Sequence, residues 1–330
     1  MSKRKVGRFS VNPIGLGCMS LSHAYGGQPP QDEAERLLHR ALDLGYDFLD
    51  TAAIYGAGHN ETLIGGALKR RRGEFMLASK CGFGPYPGPA RAIDGSPASI
   101  NQTLDLSLGR LGFDHIDLYY LHRPDPKVPI EESVGALARA VEAGKIGAIG
   151  LSEVSSDQLR RAHAVHPIAA LQTEYSLWTR NPEIAGLAAC RDLGTTFVAF
   201  SPLGRGFLAA ACGLGHVFPA DDFRSGMPRF QEPNYSRNLV WLAEFRGMAA
   251  GIGCTPAQLA LAWLLQRDPD LVAIPGSKQI PHVEENFAAS GVQLSPAQMA
   301  ALDALINPGT VAGSRYGPTM QATVTTEEFA

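Results

Sequence analysis

Short apolar runs alternate with longer amphipathic stretches along most of the chain. The apolar runs are rich in β-branched and aromatic residues, which is typical of buried strands, whereas the stretches between them have the length and spacing of helices. Strands are predicted near residues 14–17, 46–50, 75–79, 115–121, 146–151, 168–172, 196–200 and 271–275. Helices are predicted near residues 31–44, 60–70, 98–110, 130–143, 156–164, 182–192, 238–266 and 280–288.

Eight strand–helix units in succession predict an α/β fold, a closed (β/α)8 TIM barrel that forms a single domain over residues 1–330. Residues 6–11 predict an N-terminal hairpin that closes the floor of the barrel. Ser295 followed by proline and Gln298 predicts the start of an extra C-terminal helix. Residues 201–237 break the alternation and predict a long loop after the seventh strand, a lid or binding loop.

Composition narrows the class of protein. The 330 residues are 45% hydrophobic, enough for one large core, and the net charge of −3 provides no electrostatic footprint for nucleic acid or a membrane surface. The basic residues 69–72 end a predicted helix, where cations suit the dipole. The charged N-terminus precedes no apolar segment, and no stretch is long and apolar enough to span a bilayer. We therefore expect a cytoplasmic protein without nucleic-acid or membrane partners; the oligomeric state stays open.

Cysteine usage indicates reduced thiols. The count of five is odd and no Cys-x-x-Cys pair occurs, which argues against a disulfide framework and against a zinc site. No metal site is predicted. The cysteines are Cys18, Cys81, Cys190, Cys212 and Cys254.

Four polar residues stand at the ends of three successive predicted strands. Asp50 ends the second strand and Tyr55 follows it, Lys80 follows the third, and His122 follows the fourth. In a parallel barrel the carboxyl ends of consecutive strands meet at one rim, which carries the chemistry. Any one of these residues alone is more often structural than catalytic, but the four together predict an active site.

The four side chains suit acid catalysis on a carbonyl group. A tyrosine hydroxyl titrates near pH 10 and donates a proton usefully at neutral pH only if its phenolate is stabilised. A nearby Lys80 would lower its pKa, and Asp50 would hold Lys80 charged. His122 would complete a polar pocket that aims the substrate oxygen at Tyr55. Such a site lacks a hydride, which a cofactor must supply.

The sequence resembles the aldo-keto reductase family. The likeness runs from residues 15–19 to residues 285–287, and residues 48–61, Phe-Leu-Asp-Thr-Ala-Ala-Ile-Tyr-Gly-Ala-Gly-His-Asn-Glu, are its most specific stretch. Residues 150–154, 163–172 and 174–178 resemble the bacterial and plant branch that reduces varied aldehydes and ketones. The resemblance implies NADPH-dependent reduction of a small aldehyde or ketone, with Tyr55 as general acid and Asp50, Lys80 and His122 completing the tetrad.

A dinucleotide-binding fingerprint of the Rossmann type is not predicted. Residues 204–209 do match G-x-G-x-x-A, but Ser201 and Pro202 already break the preceding strand, and no second strand precedes Asp221 and Asp222. The resemblance implies instead that residues 201–206 wrap the pyrophosphate of the cofactor. Backbone N–H groups and the guanidinium of Arg205 suit that task.

The resemblance also implies contacts for the rest of the cofactor. An aromatic ring, here Phe200 where tyrosine is common, stacks on the nicotinamide, and Ser152 and Gln172 bind its carboxamide. Residues 274–286 match the adenosine-phosphate motif of the family, in which Ser277 and Lys278 bind the 2′-phosphate and Glu285 and Asn286 contact the adenine. His282 stands where the family often has arginine, and Glu153 where many relatives carry asparagine. The predicted cofactor-binding residues are Cys18, Met19, Asp50, Ser152, Glu153, Gln172, Phe200, Ser201, Pro202, Leu203, Gly204, Arg205, Gly206, Gly276, Ser277, Lys278, His282, Glu285 and Asn286.

Two other functions stay open at this point. The same fold serves as a nucleotide-binding regulatory subunit with little turnover, although nothing in the sequence indicates a membrane partner or a tetramer. A metal-dependent barrel hydrolase needs His/Asp clusters at strand ends, and only one strand end has a histidine. The substrate itself is not specified. Six aromatic residues could line an apolar pocket or pack the long loop on the barrel: Tyr25, Trp178, Phe207, Phe218, Phe223 and Phe230.

Overall fold

A computed structural model describes residues 2–84, 92–209, 213 and 215–329, so Cys212 lies outside the described residues. Eight parallel strands, β3 to β10, pair in chain order. The first and last are joined as well, since the N–H of Gly15 donates to the carbonyl of Ala273 at 2.9 Å. The predicted (β/α)8 barrel is confirmed. The strands are β1 (Arg4–Val6), β2 (Phe9–Val11), β3 (Leu16–Gly17), β4 (Phe48–Asp50), β5 (Met76–Cys81), β6 (Leu118–Leu121), β7 (Ile149–Ser152), β8 (Ile168–Glu174), β9 (Thr196–Phe200) and β10 (Val272–Ile274).

Helices cover the outside of the barrel with one apolar face turned inward. In the first of them the buried residues recur at spacings of three and four, the pattern of an amphipathic helix. The described helices are α1 (Gln31–Leu44), α2 (His59–Leu68), α3 (Pro97–Leu111), α4 (Ile130–Glu142), α5 (Ser156–Val165), α6 (Gly186–Leu193), α7 (Asn234–Leu239), α8 (Leu242–Ile252), α9 (Pro256–Arg267), α10 (Ile280–Ala288), α11 (Pro296–Leu305) and α12 (Pro318–Gln321).

The single helix predicted over residues 238–266 is wrong. Helix α8 ends at Gly253, whose φ of 82° lies in the left-handed region that a glycine adopts without strain. Thr255 then accepts a hydrogen bond from the N–H of Gln258 and begins α9 with a capping box. Two shorter corrections concern helix ends: residues 181–183 and 69–74 form 3-10 turns beside α6 and α2 rather than parts of those helices.

The N-terminal hairpin lies at the floor of the barrel, as predicted. Strands β1 and β2 pair antiparallel, and the hydroxyl of Thr196, at the start of β9, donates to the carbonyl of Lys5 at 2.5 Å. Val6 and Val11 pack into the lower core with Phe48. The hairpin therefore seals the end of the barrel opposite to the predicted site.

The C-terminal segment returns to the carboxyl ends of the strands. The predicted extra helix is present as α11, and its N-terminus carries the capping box of Ser295 and Gln298. Beyond it, the N–H of Thr325 donates to the carbonyl of Glu153 at 2.9 Å. Within the described ranges no single helix is long and apolar enough to cross a membrane; one pair, 234–252 with 256–267, passes that test only as two segments bent by 82°.

Two adjacent glycines of α2 test the packing of this helix against α3. A Cβ at Gly65 would lie 2.1 Å from the carbonyl oxygen of Leu111, whereas a Cβ at Gly66 would meet nothing within 4 Å. We expect Gly65→Ala to lower the free energy of unfolding by about 1–3 kcal/mol through overpacking. Gly66→Ala should raise it by roughly 0.5–1 kcal/mol because alanine favours helix. Urea denaturation of both variants measures the difference; shifts of the same sign would contradict the helix contact.

Candidate active site

Three of the four predicted tetrad side chains form one buried group at the carboxyl ends of β4 and β5. The ammonium of Lys80, 1% exposed, is ion-paired with the carboxylate of Asp50. It also donates to the carbonyl of Thr51 at 2.8 Å and to the hydroxyl of Tyr55 at 3.4 Å. Parallel pairing of β4 with β5 places Asp50 opposite Ala78, two residues from Lys80. The sheet register therefore brings the carboxylate and the ammonium together.

His122 lies on the other side of Tyr55. Its ring centroid is 5.9 Å from that of Tyr55 with the planes nearly perpendicular, and 5.1 Å from Phe83. The N–H of His122 donates to the carbonyl of Cys81 at 2.8 Å, which fixes the chain just beyond β6. All four predicted residues thus lie together at this rim, with Lys80 and His122 both beside Tyr55.

The pKa values of these groups depend on burial and on one cation. Burial raises the pKa of Tyr55 and the charge of Lys80 lowers it, but burial prevails, so the phenol is fully protonated at neutral pH. Lys80 does lower the pKa of Tyr55, as we predicted, but by less than burial raises it. Burial would lower the pKa of Lys80, yet Asp50 and Tyr55 raise it and keep the ammonium charged. Burial, Arg123 and Lys80 hold the pKa of His122 well below its usual range, which leaves a neutral imidazole.

A polar network supports the loop that carries Tyr55. The hydroxyl of Thr51 donates to the side-chain oxygen of Asn60 at 2.6 Å. The amide of Asn60 donates to the carbonyl of Cys18 at 2.8 Å and to the hydroxyl of Ser22 at 2.7 Å. Sequence reasoning missed Asn60, although it lies in the stretch that we identified as most specific. It joins the rims of β3 and β4.

The predicted carboxamide partners stand side by side across two strands. Ser152 ends β7 and pairs with Gln172 of β8, and both side chains are buried. The side-chain amide of Gln172 donates to the second carboxylate oxygen of Asp50 at 2.7 Å. Phe200, partly buried at the end of β9, follows on the same rim. The rim therefore offers hydrogen-bonding groups and one aromatic face beside the tetrad.

Strand β3, the first strand of the barrel, is followed by the predicted cofactor residues Cys18 and Met19. Cys18 is fully buried and its thiol donates weakly to the carbonyl of Leu16 at 3.6 Å. Burial raises the pKa of this thiol, so it carries no reactive thiolate. Met19 begins a 3-10 turn that ends at Leu21 and lies partly exposed beside the rim.

The segment after β9 has the backbone of an anion-binding turn. Leu203 is close to right-handed helical conformation (φ −97°, ψ 18°), and Gly204 and Arg205 then adopt φ of 55° and 57°. A right-handed residue followed by a left-handed one directs successive N–H groups toward one side, and such concavities bind phosphate. With Ser201 and Gly206 also at positive φ, residues 201–206 fit a pyrophosphate by their conformation.

Arg205 and Glu153 do not point freely into the mouth of the barrel. Arg205 donates to the carboxylate of Glu174 at 2.6 Å and to the hydroxyl of Tyr316 at 3.0 Å. Glu153 accepts from Arg315 at 2.7 Å, with both side chains almost fully buried. We predicted cofactor contacts for both residues; in the structure their side chains hold the C-terminal segment to the rim. Sequence reasoning missed Glu174 and Arg315, for which no local signal exists.

Strained backbone is concentrated at this rim. The non-glycine residues with positive φ among those described all follow carboxyl ends of barrel strands. Each such residue costs on the order of 1–3 kcal/mol and persists only where its surroundings fix it. At Glu153 the φ is 56°, a region that asparagine tolerates better than glutamate. The five residues are Ala24, Ala57, Glu153, Ser201 and Arg205.

The predicted phosphate and adenine residues lie beyond β10. Lys278 donates to the carbonyls of Tyr25 at 2.7 Å and Gly27 at 3.1 Å, so its ammonium holds the loop after β3. The hydroxyl of Ser277 donates to the carbonyl of Gln279 at 3.2 Å. Beside Gly276, the hydroxyl of Ser20 is buried without a hydrogen-bond partner among the described residues. The other predicted residues, His282, Glu285 and Asn286, are all carried by α10.

The aromatic residues left open by the sequence mostly pack the long loop. Trp178 stacks on Phe207 at 4.2 Å between centroids, and Phe230 lies edge-on to both. Phe218 in turn contacts Phe230 at 5.3 Å. These four form one cluster that anchors the described part of residues 201–233 to the barrel. Tyr25 and Phe223 lie apart, beneath the guanidinium groups of Arg224 and Arg205.

The fold and the site define a class: a (β/α)8 barrel with Asp50, Lys80, Tyr55 and His122 grouped at one rim. Residues 13–307 match the model of the aldo/keto reductase family. The chain is 44% identical over 322 residues to the aldo-keto reductase yakc [NADP(+)] of Schizosaccharomyces pombe, covering 96% of this chain and 94% of that protein. It is 42% identical over 309 residues to probable aldo-keto reductase 1 of Glycine max, covering 93% and 89%.

Solved structures agree with this assignment. The glycerol dehydrogenase of Gluconobacter oxydans superposes with a TM-score of 0.86 at 30% identity, over 96% of this chain and 98% of that one. An aldo/keto reductase of Klebsiella pneumoniae, solved in complex with NADP and acetate, gives a TM-score of 0.73 at 27% identity, over 96% and 99%. The chain belongs to the aldo/keto reductase family and is an oxidoreductase.

The ion pairs of Glu174 with Arg205 and Arg315 make the stability of the fold depend on pH. Burial alone would raise the pKa of Glu174, but the charges of Arg205, Arg315 and Arg229 outweigh it and hold the pKa at about 2. A carboxyl with a depressed folded-state pKa stabilises the fold above its unfolded value of 4.5, and this stability is lost as the pH falls toward about 2.

We therefore expect the free energy of unfolding of the wild type to fall by on the order of 3 kcal/mol more than that of Glu174→Gln across this range. Urea denaturation at a series of pH values below 5 measures both curves. Parallel curves for the two proteins would show that the carboxylate of Glu174 is not held ionised by the arginines.

Proposed function

We propose that this chain reduces aldehydes and ketones to alcohols with NADPH, and that Tyr55 is the general acid. One observation carries the proposal: the buried ammonium of Lys80 contacts the carboxylate of Asp50 and the hydroxyl of Tyr55 at once. A phenol beside a fixed cation is a proton donor whose conjugate base is stabilised where it forms. Packing alone would not require an ammonium there, since burying one is costly unless it is paired.

Several features support NADPH as the cofactor. The S. pombe relative is named for NADP(+), and the K. pneumoniae structure contains NADP. In this chain the left-handed turn at residues 201–206 suits a pyrophosphate, and Ser152 with Gln172 suits a carboxamide. Ser277 and Lys278 are the candidates for the 2′-phosphate, because they follow β10 at the same rim.

Bound NADPH supplies the hydride that the carbonyl carbon receives. The protein residues provide the proton and the orientation. His122, neutral because its pKa is depressed, hydrogen-bonds the carbonyl oxygen and directs it toward the hydroxyl of Tyr55. Tyr55 donates its proton to that oxygen as negative charge develops on it. Lys80 stabilises the phenolate that remains, and Asp50 keeps Lys80 in place and charged until solvent restores the proton.

Replacement of Tyr55 by phenylalanine tests the role of the hydroxyl. We expect Tyr55→Phe to lower kcat for aldehyde reduction by about 10²–10⁴-fold, the usual contribution of general acid catalysis. NADPH binding, followed by protein fluorescence, should persist because the ring is retained. Turnover within threefold of wild type would exclude Tyr55 as the acid. A wild type that binds NADPH and reduces none of a broad set of aldehydes, ketones and quinones would favour the regulatory subunit instead.

Replacement of Lys278 tests the preference for NADPH over NADH. A charge-assisted contact to the 2′-phosphate contributes roughly 1.5–3 kcal/mol. Lys278→Ala should therefore weaken NADPH by about 10- to 150-fold while affecting NADH much less, as measured by fluorescence titration of both cofactors. Since Lys278 also holds the carbonyls of Tyr25 and Gly27, loss of that loop contact alone would weaken both cofactors equally. Equal losses would thus contradict the phosphate role.

A further inference from the structure

Arg123 lies at the rim and forms no ion pair with any carboxylate of the described residues. It follows His122 directly and is half-buried. One terminal nitrogen, Nη1, donates to the carbonyl of His122 at 2.7 Å and, weakly, to the hydroxyl of Ser152 at 3.4 Å. These two contacts place the guanidinium between the tetrad and the predicted carboxamide site. In the part of the chain that the structure describes, no carboxylate lies within 4 Å of it.

The other cations of this rim each have partners. Lys80 pairs with Asp50, Arg315 with Glu153, and Arg205 with Glu174. Further out, Asp222 neutralises Arg224, while Lys278 and Arg229 donate to backbone carbonyls.

Asp125, which is close to Arg123 in sequence, and Glu153, which feels its charge, both accept hydrogen bonds from other groups. Asp125, two residues on, accepts from the backbone N–H groups of Gly95 at 2.9 Å and Lys127 at 2.8 Å. Glu153 feels the charge of Arg123, but its oxygens accept from Arg315 and Thr326. No carboxylate among the described neighbours is therefore paired with Arg123, and its charge acts on the tetrad residues Tyr55 and His122.

Two donor atoms of Arg123 remain available. Nε and Nη2 have no hydrogen-bond partner among residues 2–84, 92–209, 213 and 215–329, and neither atom is buried. These nitrogens form one edge of the guanidinium, and such an edge matches the two oxygens of a carboxylate. The charge is also close enough to the tetrad to favour the ionised form of Tyr55 and to disfavour a charged His122.

We propose that Arg123 is a specificity residue that binds the carboxylate of an acidic carbonyl substrate, so that the site prefers oxo acids to neutral aldehydes and ketones. The inference rests on the proposed reductase function and deepens it. The two contacts of Nη1 hold the guanidinium beside the reacting group, and the open edge receives the substrate anion. Reduction itself still requires Tyr55, Lys80 and His122.

The test compares 2-, 3- and 4-formylbenzoate with their methyl esters, which differ from the acids mainly in charge. For each pair, NADPH consumption by the whole protein gives kcat/KM of the acid divided by that of the ester. Wild type should favour at least one acid. In Arg123→Gln the ratio for that isomer should fall by roughly 10- to 150-fold through a higher KM for the acid. Arg123→Lys, which keeps the charge without the planar edge, should retain part of the preference.

Arg70→Gln is the matched control. It removes the same charge from an exposed site in the 3-10 turn before β5, at the opposite end of the barrel, and should leave the ratio unchanged. Equal losses for acid and ester in Arg123→Gln would overturn the inference and show that Arg123 only positions His122 and Ser152. So would a wild type that prefers no acid. Both results leave the reductase function standing if the esters are reduced, whereas reduction of neither acid nor ester would contradict that function itself.

Discussion

The buried ammonium of Lys80 is the constraint on which the site depends. A charge enclosed in protein is tolerated only if it is paired and hydrogen-bonded, and here a carboxylate, a backbone carbonyl and a phenol enclose it. Asp50 is fixed in turn by Gln172 from the opposite side of the barrel. Polar side chains from β4, β5 and β8 are thus arranged around one buried cation. The same cation contacts the hydroxyl of Tyr55 and fixes its position.

A second group of buried charges joins the carboxyl ends of β7 and β8 to the loop after β9 and to the C-terminal segment. Glu153 and Glu174 end neighbouring strands, and Arg315 from the C-terminal segment and Arg205 from the loop after β9 neutralise them. Glu153 and Arg205 themselves have strained backbone, with φ of 56° and 57°. Strain of this kind is stable only where the surroundings fix it, so the C-terminal segment helps to maintain the turn at residues 201–206. One ion pair, Lys80 with Asp50, thus supports the tetrad, and a separate cluster of ion pairs supports the backbone of the rim.

The arginines of the rim differ in whether a carboxylate pairs with them. Arg205 and Arg315 are paired with carboxylates and buried, and they serve the architecture. Arg123 also lies at the rim, but its partners among the described residues are a carbonyl and a hydroxyl. Because a guanidinium is always charged, a missing counter-ion in the described protein marks the place where an external anion gains most.

Sequence alone determined the barrel, its hairpin floor and the positions of the four tetrad residues, because strand and helix periods are local and strand ends meet at one rim. It also contained the stop signal of Gly253 and the start signal of Thr255, although the apolar pattern across them suggested one helix. The roles of Asn60, Arg123, Arg205 and Arg315 were decided only by the tertiary structure. Arg315 meets Glu153 across 162 positions of sequence, and such pairing depends on which groups are buried together. A residue's type can be read from the sequence, whereas the charge that it must neutralise appears only when the chain is folded.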